Sequence, residues 1–397
     1  MSLLTSLSSG TSGLASASSE LAVVGDNIAN ANTVGFKSER AAFEDALAQT
    51  VIGGQGQIGL GSRLQAVQKI LTQGSLTNTG VATDLALQGT GFFQVSGTSN
   101  DGRQGAFLTR AGQFTVDNSG FLVNLEGLRV QGYGADDVGN ITGALGDLQV
   151  GNASSAPLPT SQVTLQGNLA SDMATGTTFS TSVTVYDSLG AARQVQITYT
   201  KNAAPSTWDW SAAEGATPVG NGALTFDSSG QITSGQSGTL NLPAAGGGAA
   251  LSAPVDFNGI TQYAGASATT FVGQDGYGSG QLTSIQIDKT GTIQGIFSNG
   301  QTRAIGQVGV ARVAAPDQLE RTGGNLYAVT SASGQAVMGA AGEGGRAFIS
   351  SGALEQSNVD IADQFVRMIA AQRNFQANSK TITTADQLLA ELIAMKR

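Results

Sequence analysis

The sequence predicts a mainly β protein with α-helical termini. Two observations carry this: a seven-residue rhythm at both ends, and a period of two with recurrent turn signatures between them. Leu3, Leu7, Gly10, Leu14, Ala17, Leu21, Val24 and Ile28 step alternately by four and three. Ile361, Phe365, Met368, Gln372, Phe375, Ser379, Ile382, Asp386, Leu389 and Ile393 do the same. Such spacing keeps one stripe of a helix against a partner helix. The two terminal helices are therefore expected to pair as a coiled-coil-like layer. Two β-rich domains follow, the outer inserted into the inner.

The N-terminal helix is weak on intrinsic grounds. Ser and Thr fill ten of the first twenty positions, and Gly10 and Gly13 each cost about 1 kcal/mol relative to Ala. Packing must rescue it. Residues 31–70 form a linker or β-arm, with a short helical stretch expected around Ser38–Gln49. Gly53, Gly54, Gly56, Gly59 and Gly61 mark a loop or open arm within it.

From residue 71 a four-residue signature recurs: Asp117-Asn-Ser-Gly120, Asp187-Ser-Leu-Gly190, Asp227-Ser-Ser-Gly230 and Asp288-Lys-Thr-Gly291. Asp first and Gly fourth suit a type I turn closed by a left-handed residue, a common hairpin connection. The Asp carboxylates are expected to accept their own turn amides rather than hold a metal. Six of the seven Pro lie between Pro157 and Pro254, together with Trp208 and Trp210. This change of texture marks an inserted outer domain at 146–280, with 71–145 and 281–357 closing into one inner domain. The terminal helical domain comprises 1–30 and 358–397. The last helix is expected to open on a capping box, Ser357-Asn-Val-Asp360.

Composition excludes several functions. The chain has 397 residues, a net charge of −9, no Cys and no His. The charge disfavours nucleic acid and anionic lipid. Disulfides, thiolate chemistry and the usual zinc sites are excluded. No run of 18 apolar residues exists to insert in a membrane. The N-terminus carries no Lys or Arg before Lys37, unlike a cleaved secretory signal. Charged residues make up only 12%, and Gly is 56 of 397. Low charge and small residues suit surfaces covered by neighbours, although a turn-rich β protein accounts for the Gly as well.

Catalytic motifs fail on inspection. Gly89-Thr-Gly91-Phe-Phe lacks the third glycine of a dinucleotide loop and should lead into a strand. Gly342-Glu-Gly-Gly345-Arg lacks the Lys-Ser/Thr of a phosphate loop. Without His, a Ser nucleophile needs a Lys base, and no Ser-x-x-Lys setting is recognisable. No catalytic residue, cofactor site or metal site is expected.

Several stretches resemble bacterial flagellar axial proteins, the rod and hook group. Asp26-Asn-Ile-Ala-Asn-Ala-Asn-Thr-Val-Gly-Phe-Lys37 looks like their N-terminal signature, with Asn27, Asn30, Asn32, Thr33, Gly35, Phe36 and Lys37 as motif residues. Asp84–Val95, Leu108–Phe114, Ser357–Asp360 and Ala371–Lys380 continue the match. Val185–Gly190, Asp275–Leu282 and Phe297–Thr302 resemble the hook branch, whose outer domain a distal rod subunit lacks.

The resemblance implies a helical homopolymer: a flexible curved tube, extracellular, passing torque from rod to filament and enclosing an export channel. The assembly stripes would be Leu3, Leu7, Leu14, Leu21, Val24 and Ile28 with Ile361, Phe365, Met368, Phe375, Ile382, Leu389 and Ile393. It implies flagellar rod, hook cap and hook–filament junction proteins as partners, and export by the flagellar type III apparatus without a cleaved signal peptide. Phe43 and Leu47 resemble the Phe-x-x-x-hydrophobic element of early export substrates; the alternative is that both simply pack the inner domain. The rivals are a distal rod subunit and, from another class, a secreted β-rich adhesin or enzyme.

Overall fold

The computed structural model describes residues 3–46, 49–50 and 57–395. Two long helices stand at the ends, α1 at Leu3–Ala29 and α2 at Ile361–Met395, and the chain between them is almost entirely strand. It divides into two compact units. The first holds residues 1–152, 285–294 and 304–397; the second holds 153–284 and 295–303.

In the first unit the central ladder runs in spatial order Thr302–Val308, Arg129–Ala135, Phe92–Thr98, Gln104–Thr109, Leu326–Ala328 and Glu320–Gly323. Its strands alternate inward apolar residues, as the period of two requires. Leu85, Leu87, Phe93, Phe114, Leu122, Leu128 and Ile293 meet in one core. Phe93 and Phe114 stand edge to face at 5.1 Å, a favoured aromatic geometry. Two short ladders fasten the C-terminal approach: Phe348–Ser351 pairs Leu85–Gln88, and Ala353–Glu355 pairs Leu76–Asn78.

The second unit has a five-stranded meander, Thr178–Tyr186 through Ile232–Ser234, and a four-stranded sheet. Within the latter, Val163–Asn168 runs parallel to Leu251–Thr261 and antiparallel to Ala268–Gln274. Both sheets feed one core around Tyr199, Trp208, Trp210 and Phe257.

All four Asp-x-x-Gly stretches form the expected turns. Gly120, Gly190, Gly230 and Gly291 have φ between 77° and 83°, the left-handed region that Gly enters without a Cβ penalty. Asp117 Oδ1 accepts the amides of Ser119 (2.9 Å) and Phe121 (2.8 Å). Asp187, Asp227 and Asp288 repeat this pattern. Asp136–Gly139 is a further copy of the same turn.

Three expectations need correction. The stretch around Ser38–Gln49 is not helical; Glu39–Asp45 is a strand paired with Ser62–Lys69. Its β-branched content is low, but pairing with a partner strand overrides local propensity. Second, Asp360 rather than Ser357 caps α2, accepting the amides of Ala362 (2.9 Å) and Asp363 (3.2 Å). Third, the edge of the inserted segment lies later than residue 146. Leu148 and Val150 are buried in the first unit's core. Residues 295–303 also belong to the second unit, so the chain enters it twice.

Candidate assembly interface

The two ends of the chain meet as an antiparallel helix pair. Gly10 lies beside Ile382, Gly13 beside Asn378, and Asn27 beside Gln364. The buried positions of α1 are Gly10, Ala17, Val24 and Asn27. Those of α2 are Gln364, Ala371 and Ala385. Gly10 and Ala17 on α1, with Ala371 and Ala385 on α2, are the small residues of the seam, and they let the two backbones approach closely. A Cβ on Gly13 would fall 2.6 Å from Asn378 Nδ2, and one on Gly10 would fall 3.0 Å from Ile382 Cγ1.

The seam shares only part of the predicted stripes. Val24 is buried, and Leu7, Leu14, Leu21 and Ile28 are half-buried on its flanks. Leu3 opens α1, but its side chain lies outside the described residues. On α2, Met368, Ile382 and Leu389 are half-buried, whereas Ile361, Phe365, Phe375 and Ile393 are exposed. Phe365 is 49% and Ile393 71% accessible. With the exposed Phe375 left out, the buried and half-buried positions still follow the step, at 364, 368, 371, 378, 382, 385 and 389. Alternate members are shifted by one from those expected, onto Gln364, Ala371, Asn378 and Ala385 instead of Phe365, Gln372, Ser379 and Asp386. The cause is steric: Ala371 and Ala385 let the two backbones approach, while Phe365, Phe375 and Ile393 stay exposed.

Asn27 fixes the base of this pair. Its Nδ2 donates to Glu39 O (2.7 Å) and Gln364 Oε1 (3.0 Å), and its Oδ1 accepts from Glu39 N (2.8 Å). One buried amide thus joins α1, the arm strand and α2. Asn30 Nδ2 donates to Asp26 O (2.9 Å), and its Oδ1 accepts from Thr33 Oγ1 (3.1 Å), closing the end of α1. Asn32 is exposed. Gly35 has φ 71°, and a Cβ there would sit 2.5 Å from Ala111 N, so the motif requires Gly on two grounds. Phe36 is buried under the Arg321 guanidinium, 5.4 Å from its ring centroid.

Lys37 enters a buried ionic node that sequence reasoning missed. Its Nζ donates to Glu355 Oε1 (2.5 Å) and Thr72 O (2.8 Å). Arg110 Nη1 donates to Glu355 Oε2 (3.1 Å), its Nη2 to Gly89 O (2.7 Å), and Gly74 N to Glu355 Oε1 (2.9 Å). All three charged side chains are buried. Burial lowers the pKa of Lys37 and of Arg110, and Glu355 opposes that shift in both. Asn358 adds a second clasp: its Oδ1 accepts from Ser38 N (2.7 Å), and its Nδ2 donates to Ile70 O (2.8 Å). Arg110 and Asn358 stood inside motifs already recognised. Glu355 carried no signal, because its partner lies 318 positions away.

Phe43 sits on the arm strand opposite Leu64, beside a bulge, and is partly exposed. Leu47 lies outside the described residues. Among the described residues, no cluster of three or more His, Cys, Asp or Glu could hold a metal ion. No described helix is long and apolar enough to cross a membrane.

Family models now cover most of this architecture. The flagella basal body rod protein model matches residues 7–37, and the flagellar hook protein FlgE/F/G D1 domain matches 86–178. The flagellar basal body protein FlaE D2 domain matches 152–277, and the flagellar basal body rod FlgEFG protein C-terminal model matches 350–395. Helical ends around nested β domains thus define a flagellar axial protein.

The full-length relatives are narrower. The flagellar hook protein FlgE of Borreliella burgdorferi is 35% identical, covering 99% of this chain and 100% of that protein. The Salmonella typhimurium hook protein FlgE is 36% identical over 98% of this chain and 100% of its own length. The chain belongs to the flagellar hook protein FlgE family. A crystal structure of Helicobacter pylori flagellar hook protein FlgE2 covers 70% of this chain and 99% of that one, with TM-score 0.48 at 16% identity.

Proposed function

We infer that this chain is the structural subunit of the bacterial flagellar hook. It polymerises into a flexible curved tube that passes torque from rod to filament and encloses the export channel. It acts by assembly and not by catalysis. Its partners are copies of itself, the rod, the hook cap, the hook–filament junction proteins and the type III export apparatus. It leaves the cell without a cleaved signal and works outside it.

One observation carries this reading beyond the family match. The helix pair leaves Ile361, Phe365, Val366, Ile369 and Ile393 of α2 exposed. Covering each such half-exposed side chain is worth about 1 kcal/mol. That face is an obligatory contact for a chain that assembles. For export, Phe43 offers an accessible aromatic near the N-terminus, and Phe43→Ala separates the two roles considered for it. Loss of secretion marks an export element; normal secretion with poor assembly marks a packing residue.

Electron microscopy of polymerised chain tests the main reading. Curved, bendable tubes are expected. Straight, stiff tubes would favour the distal rod, and a chain that stays monomeric at high concentration would end the structural reading altogether.

A further inference from the structure

Arg312 and Arg346 share one cleft of the first unit, and backbone carbonyls rather than carboxylates hold them. Arg312 Nη1 donates to Gly344 O (2.9 Å), while Arg346 Nη2 donates to Val337 O (3.1 Å) and Met338 O (3.0 Å). Gly344 lies against both guanidiniums, since a Cβ on it would fall 2.9 Å from Arg346 Nη1. Neither arginine makes an ion pair among the described residues. Their charge is thus fixed in place and unneutralised. Val313, Ala314 and Val337 line the same cleft, of about 520 Å³, and Val337 is 59% exposed. The result is an apolar floor beside two positive charges.

The arm of the same unit carries the complement. Glu39–Asp45 and Ser62–Lys69 form a two-stranded ribbon, and two strands alone are marginal in water. Every residue from Arg63 to Gln68 is exposed. Phe43 lies directly opposite Leu64, so their side chains share one face of the ribbon, at 37% and 39% exposure. Asp45, two residues beyond Phe43 on the same strand, stands on that face and is exposed as well. The other carboxylates of the ribbon are taken: Glu39 pairs with Arg321, and Glu44 with Arg63. The Asp45 carboxylate makes no ion pair or hydrogen bond among the described residues. An apolar pair beside an unneutralised carboxylate matches an apolar floor beside unneutralised guanidiniums.

We propose that the cleft at Arg312, Val337 and Arg346 receives the Phe43–Asp45 face of the arm of a second copy of this chain. The proposal rests on the hook-subunit reading and names one of its contacts. Within one chain the two patches do not meet, since Asp45 and both arginines lack an ion partner there. Arm and cleft are different patches of one subunit, so the contact is heterologous and propagates from copy to copy instead of closing a dimer. Phe43 and Leu64 cover the floor and supply the apolar anchor. Asp45 supplies register, because rim charges set partner choice more than affinity. The contact also gives the ribbon the cover it lacks in the monomer.

The chain has no Cys, so introduced thiols are unique. Leu64→Cys and Val337→Cys chains, mixed, polymerised and treated with a short bismaleimide, should give covalent dimers. Both substitutions in one chain should give a ladder of multimers, and neither single variant should crosslink by itself. Asp45→Lys should raise the critical concentration for polymerisation about fivefold, and Arg312→Glu should do likewise. Both reversals in one chain should return it to within about twofold of the unmodified protein. Circular dichroism of each monomer checks folding, and the thiol variants need no charge change. Mixed tubes without the crosslink, dimers from either thiol variant alone, or a double reversal worse than either single one would each overturn the contact. In those cases the hook reading stands. Failure of the unmodified chain to form tubes would overturn both.

Discussion

Replacing Glu355 by Gln should be the most damaging single-atom change in the first unit. The carboxylate is buried between two buried cations and accepts from Lys37, Arg110 and Gly74 N. Gln keeps the shape but removes the charge, and its amide must turn an NH2 toward one of the two donors. Two buried cations then share no counter-charge. Breaking a buried pair this way costs about 3–5 kcal/mol. Lys37→Met is the instructive contrast. It removes one cation and leaves the Arg110–Glu355 pair neutral and hydrogen-bonded, so it should cost no more than about 1–2 kcal/mol.

Urea unfolding can separate the two units, because both Trp residues sit in the core of the second. Trp fluorescence therefore serves as an internal control, while far-ultraviolet dichroism follows both transitions. For Glu355→Gln the Trp transition should stay fixed, and the other should drop. In a thermal scan that drop is roughly 10 °C, at about 2–4 °C per kcal/mol for a unit of this size. Equal shifts in both transitions, or a Lys37→Met variant at least as unstable as Glu355→Gln, would show that the node is not held by its charge balance.

Other outcomes follow from the same contacts. Burial depresses the Lys37 pKa, so between that lowered value and its ordinary 10.5 the unfolded chain binds more protons; stability of the first unit should rise with pH there, and Lys37→Met should flatten the rise. It should be read below pH 10, before Tyr327 contributes, since burial pushes that phenol up to about 12 and its effect has the opposite sign. Asn27→Ala should cost about 1–3 kcal/mol by orphaning the Glu39 amide, and proteolysis of the monomer should then cut the arm between residues 39 and 69 earlier than in the parent. Removing 153–284 and 295–303 with two short Gly-Ser links should still give tubes, straighter or differently curved; a chain that keeps its first-unit dichroism but cannot polymerise would deny the second unit a merely tuning role.

How much of this was legible in the sequence depends on the range over which each feature is encoded. The hairpin turns were readable because each is complete within five residues: the Asp side chain and the Gly φ act on the same turn. The helical ends were readable as helices, because a 4-3 step is local too. Register was only half readable, and the reason lies in residue size. Apolar periodicity weights Phe365, Phe375 and Ile393 above Ala371 and Ala385, as though the largest side chains must face the nearest partner. Here two helices meet at Gly10, Ala17, Ala371 and Ala385, where close approach does the packing. Phe365, Phe375 and Ile393 are left exposed.

The same logic explains why Lys37 was recognisable and Glu355 was not. Lys37 belongs to a contiguous motif, Asn27–Lys37, whose members fold on one another and on the arm. Glu355 gains its meaning only when the far end of the chain returns to that motif. A buried cation in such a motif implies a buried anion somewhere, since an unpaired charge in a core is strongly unfavourable. Among 28 acidic residues, spacing alone does not single out which one. The node therefore forms only when residues 35–37, 72–74, 89, 110 and 355 are all in place. The base of the helix pair is set by contacts spanning nearly the full sequence, so the outward face of α2 takes its final position only in a completely folded subunit.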